Sequence, residues 1–149
     1  MKTNWSLGIS LVVLCTFLSS FITLPGADSF EVYLDNELLM KDYVYRERSI
    51  KPIRLDKNSN ATLTVSYSHC GITGSSRSLT LLDDQKKLIR EWTFANVDAK
   101  VKDPMPVSVK ELVTASNGKP VSLYYKSQEL DNEVLIAPVR FVDKTTASN

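Results

Sequence analysis

Between Ala61 and Cys70 the side chains alternate without a break. Ala61, Leu63, Val65, Tyr67 and His69 fall on one face, and Thr62, Thr64, Ser66, Ser68 and Cys70 on the other. Successive side chains point to opposite sides of an extended strand, so a period of two predicts a half-buried strand with hydroxyls on its wet side. An α-helix would scatter these residues around its axis. The same period recurs in Phe30, Val32 and Leu34 and in Val121, Leu123 and Tyr125. It is also seen in Leu135, Ala137, Val139 and Phe141, taken as an inward row, with Pro138 marking an edge or a bulge.

Turn chemistry separates these runs. Asp35-Asn36-Glu37 divides the first strand from a second stretch, Leu38 to Tyr45, and Asp83 to Lys87 joins Ser78–Leu82 to Leu88–Phe94 as a hairpin. In that hairpin Leu88, Trp92 and Phe94 share a face. Ile50 to Leu55 carries Pro52, which has no N–H to donate, and is placed at a sheet edge or a strand start. One segment breaks the pattern. Ser108-Val109-Lys110-Glu111 reads as a capping box opening a helix over Val109 to Ala115, ended by Asn117-Gly118. The alternative is a further strand on Val107, Val109 and Leu112. Seven or eight short strands with at most one helix predict an all-β antiparallel β-sandwich of immunoglobulin-like size, an open barrel being the alternative.

Residues 1–29 read as an export signal. Lys2 precedes Leu7 to Leu24, which holds no charge, and Pro25-Gly26 then leads to small residues. Ala27 and Ser29 occupy the two small positions for a cut after Ser29, and a cut after Ala27 is the near alternative. The serines and threonines in the run weigh against an uncleaved anchor, and Val13-Leu14 before Cys15 against a lipid-modified cysteine. The expected product is exported, periplasmic or secreted, with no stable membrane anchor. Removing 29 of 149 residues leaves 120, which suits one domain over 30–143 and a frayed tail over 144–149.

The mature part keeps a net charge of +1, since Lys2 and Asp28 leave together. That supplies no global field for nucleic acid. A local mixture of Lys41, Arg46, Arg48, Lys51, Arg54 and Lys57 with Tyr43 and Tyr45 reads as a solvated strand edge, or else as a docking patch for an acidic partner.

One histidine and one cysteine remain, adjacent as His69-Cys70. They are too few for a zinc or blue-copper site, so neither a metal nor any other cofactor is expected. Asp83-Asp84 and Glu129-Asp131-Glu133 lack EF-hand spacing and read as turn caps. No phosphate loop, G-x-S-x-G elbow or H-E-x-x-H helix is present. Two of the three mature glycines, Gly71 and Gly74, lie in the run to Arg77, which marks a binding loop. The candidate contact residues are His69, Cys70, Thr73 and Arg77, with Tyr124 as an outward aromatic; the partner would be a protein or envelope component. If the strand lasts through Cys70, imidazole and thiol face opposite ways, which excludes a dyad. Cys70 is expected to be shielded by the loop, the alternative being a reactive thiol.

The strand ending in His69-Cys70-Gly71, the loop through Arg77, the run Leu123-Tyr124-Tyr125-Lys126-Ser127 and the leader together resemble small exported bacterial β-sandwich proteins of uncharacterised function. That resemblance implies export across a bacterial inner membrane and no activity. Three readings follow: a non-enzymatic binding domain, a thiol-dependent enzyme or redox protein using Cys70 with His69, and a surface-assembly subunit paired through an edge such as Ile50 to Leu55.

Overall fold

The computed structural model describes residues 28–45, 47–98 and 103–143. The leader up to residue 27, Arg46 and the tail from 144 lie outside the described residues.

The described residues form nine strands and one helix: β1 (Ser29–Leu34), β2 (Glu37–Tyr43), β3 (Ile53–Asp56), β4 (Thr62–Ser68), β5 (Arg77–Leu82), β6 (Leu88–Phe94), β7 (Met105–Ser108), α1 (Val109–Ser116), β8 (Val121–Lys126) and β9 (Val134–Val142). Two sheets result. One runs β2-β1-β4-β7, the other β3-β9-β8-β5-β6. A single apolar core draws on both: Val32, Leu63 and Val65 from the first, Leu79, Leu81, Leu123 and Val139 from the second. The alternation in β4 is realised as read, with Leu63, Val65 and Tyr67 buried between half-buried hydroxyl residues.

The first sheet is antiparallel throughout. The second departs from the expected pattern because β3 pairs with β9 in parallel, Ile53 opposite Val139 and Asp56 opposite Val142. Parallel neighbours need a long connection, and the five intervening strands supply one. β3 is outermost, as Pro52 required.

The expected inward row on β9 is corrected by a register shift between Leu123 and Tyr124, which face Ala137 and Leu135. Ile136 is the extra residue, so Val134 and Ile136 point inward before the bulge and Ala137 and Val139 after it, while Leu135 does not. A second shift, at Leu81/Leu82, falls where edge strand β6 begins, and there Leu88 is exposed while Trp92 and Phe94 further along are half-buried.

Strand and helix, read as alternatives near Val107, both occur in succession. Ser108 caps α1 by accepting the Glu111 N–H at 3.1 Å, and Asn117 ends it in the left-handed region at φ 54°. Only half of the capping box forms. The Glu111 carboxylate turns instead to Trp92 Nε1 at 2.8 Å and Arg90 at 3.3 Å, tying α1 to β6. The opposite flank is held by one side chain. Arg48 donates to the carbonyls of Leu135 (2.7 Å) and Ile136 (3.1 Å) and to Asp42 (2.8 Å), with its guanidinium 4.6 Å from the Phe30 ring centre. Those carbonyls belong to the stretch of β9 that β3 does not reach, so the arginine supplies the missing ladder donors.

Candidate functional site

Polar side chains gather where the alternation runs on past the end of β4. His69 keeps the inward phase and is 4% exposed; Cys70 keeps the outward phase and is exposed. Tyr125, inward on β8, stacks on Tyr67 with ring centres 4.1 Å apart, and the His69 ring tilts against Tyr67 at 4.7 Å. His69 Nε2 meets Tyr125 OH at 2.9 Å, with Ser127 Oγ behind it at 3.4 Å.

Asp28 closes the cluster from the chain's first described position. Its carboxylate accepts from Tyr67 OH at 2.9 Å and from the Cys70 N–H at 3.1 Å, and stands 3.5 Å from His69 Nδ1. Burial pushes the Tyr67 phenol well above the ordinary tyrosine range, and the hydrogen bond to Asp28 adds to it. The Tyr125 phenol is raised by burial too, against the pull of Ser127 and Arg77. Burial holds the His69 pKa below its ordinary value, outweighing the attraction of Asp28, so the ring is neutral at pH 7.

Arg77 is 1% exposed on the inner face of β5. It donates to Ala95 O (3.0 Å), Asp103 O (2.7 Å) and Asp103 Oδ2 (3.2 Å), fastening the approach to β7 onto the other sheet.

The loop from Cys70 to Ser76 is pinned from beneath. Gly74 and Val97 exchange two backbone hydrogen bonds, both of 2.9 Å. A Cβ on Gly74 would stand 3.0 Å from His69 Cδ2 and 3.2 Å from Arg77 Cδ, so the loop lies this close only because the residue is glycine. The Ser75 N–H donates to both oxygens of Glu129, at 2.9 and 3.0 Å, and Ser76 N–H to Asn96 Oδ1 at 3.0 Å. Burial opposes ionisation of Glu129, but the hydrogen bonds from Ser75, from its own backbone N–H and from Ser127 together hold its pKa below the usual carboxylate value. Above these anchors Gly71, Ile72 and Thr73 are exposed, and Gly71 takes φ 81°.

The five residues singled out in the sequence therefore divide. His69 and Arg77 are interior residues, so they support the loop rather than touch a partner. Cys70 and Thr73 are displayed on it. The expectation that the loop shields Cys70 is corrected: the strand's phase carries the side chain out on the far side from the hub. Tyr124 does not join them. It is half-buried and alternates to the face of β8 opposite Tyr125.

Asp28, His69 and Ser127 repeat the carboxylate–imidazole–hydroxyl order of a hydrolytic relay. Here the hydroxyl is 3% exposed and Tyr125 already occupies Nε2, so the arrangement locks strands together and presents no free nucleophile. Three cations of the basic run are already engaged: Lys41 pairs with Glu31, Arg48 with Asp42, and Lys57 with Asp143, while Lys51 and Arg54 are exposed and Arg46 lies outside the described residues. Asp83 accepts from the Gln85 and Lys87 N–H groups, the turn-capping role expected of it. Among the described residues no group of three or more His, Cys, Asp or Glu is placed to hold a metal ion.

The sequence does not single out Asp28, Tyr67, Tyr125 or Ser127, and it offers Glu129 only as a turn cap. Asp28 falls within the leader as read, and the tyrosines read only as apolar bulk. The usable signal was a run of inward positions carrying polar atoms: Tyr67, His69, Arg77, Tyr125 and Ser127. No model of a known family matches the chain, and no curated protein does.

Proposed function

We propose that this is an exported, non-enzymatic β-sandwich of immunoglobulin-like size that binds a protein or envelope component through the loop carrying Cys70, Ile72 and Thr73. The observation that carries the reading is the pairing of an exposed tip with a rigid base: Ile72 is 51% exposed, while every anchor beneath it is hydrogen-bonded to the fold. A loop ordered before contact loses little conformational entropy on binding, so an exposed apolar side chain on it contributes more of its burial to affinity. Resemblance to small exported bacterial proteins supports the location. Among the described residues no helix is long and apolar enough to cross a membrane.

Capture from envelope extract tests the reading. An Ile72→Ala, Thr73→Ala double variant should retain the wild-type melting temperature and recover at least about five-fold less partner, in line with the loss of one interface anchor. Equal recovery sinks it. The exposure of Cys70 favours a second reading, in which the thiol exchanges with a partner disulfide. A mixed disulfide on non-reducing gels, abolished by Cys70→Ser, would put that reading first.

A further inference from the structure

The leader and the fold meet at Asp28, and the two candidate cuts have different consequences there. Cutting after Ser29 deletes the carboxylate that accepts from Tyr67 OH and the Cys70 N–H, and the Asp28 carbonyl that accepts from the Val44 N–H at 2.8 Å. It also removes Ser29 from between Tyr43 and Ser68, its neighbours on β2 and β4. Asp28 is itself 8% exposed. The donors left behind would be a buried phenol and two part-buried backbone N–H groups stripped of their protein acceptors, an arrangement folded proteins avoid.

We propose that processing hydrolyses the peptide bond between Ala27 and Asp28, making Asp28 the mature amino terminus and the hub a structure completed by the first residue of the exported chain. The inference rests on reading residues 1–27 as an export leader and is independent of the loop. Water adds across one amide: Ala27 leaves with a carboxylate, and Asp28 gains an α-ammonium on the residue whose side chain anchors Tyr67. Export peptidases act on the unfolded chain and select small residues just before the cut. Burial of Asp28 in the folded product is therefore no obstacle. Ala27 meets the requirement at the bond itself, and the position two residues before it holds Pro25.

The test uses the full chain, secreted from a bacterial host and read by intact mass and amino-terminal sequencing. The expected start is Asp28; a start at any other residue, or an uncleaved product, overturns the proposal. A Ser29→Leu variant separates the two bonds. Leucine immediately before the cut blocks cleavage after Ser29, but two positions beyond the cut it is tolerated. The variant should be processed as completely as wild type and again begin at Asp28. A ten-fold fall in its processed fraction would place the cut after Ser29.

Discussion

The middle of the core and its polar end obey one geometric rule with opposite chemistry. In the middle, inward positions hold Val32, Val65, Leu81 and Leu123, stabilised by leaving water. At the end the same strands, in the same phase, hold Tyr67, Arg77 and Tyr125, joined nearby by His69 and Asp28. A missing methylene in the middle leaves a void, whereas a missing hydrogen bond at the end leaves a buried polar atom unpaired. The apolar region tolerates approximate fit. The polar one tolerates little, which is what a base for a rigid loop requires.

Arg77→Met should break this contrast most severely. The substitution keeps much of the volume but removes the charged donor that Ala95 O, Asp103 O and Asp103 Oδ2 share, with an expected loss of about 3 kcal/mol in urea unfolding. Leu63→Ala, the comparison from the apolar middle, should cost about 2–5 kcal/mol through its cavity. If Arg77→Met were neutral, the polar end would not be a structural hub.

Asp28→Ala should come next, at about 1–3 kcal/mol, because Tyr67 OH and the Cys70 N–H lose their acceptor. The same variant should speed amide exchange in the loop from Cys70 to Ser76 and leave exchange at Leu123 in step with global unfolding.

The smallest effect is a pH slope. His69 binds its proton less readily in the folded chain than its ordinary pKa of about 6.5 implies, so the unfolded state takes up the proton first. Stability from this group is fully present above about pH 6.5 and falls as the pH drops towards the lower folded value. Glu129, whose pKa is also held down, adds a loss at more acidic pH. His69→Gln should flatten the slope between pH 7 and pH 5; an unchanged slope would assign it to another group.

Legibility follows the same division. β4, the hairpin of β5 and β6, and the capped start of α1 were readable because period, turn residues and cap all act within a few positions. The parallel partner of β3 and the bulge at Ile136 were not, since both depend on strands distant in sequence. Arg48 illustrates the limit. It reads as one more surface cation, yet its guanidinium serves a carbonyl 87 residues further on. In the hub the outward phase of Cys70 was legible, but the convergence of five polar side chains from separate segments was not.

The union of β3 with β9 also sets a timetable. Ile53 and Leu55 are made early but find their neighbour only when β9 has been synthesised. Until then the nascent chain carries a bare apolar ribbon, and closure of so long a loop is slow. Escape from misassembly therefore depends on how quickly the residues of β9 follow.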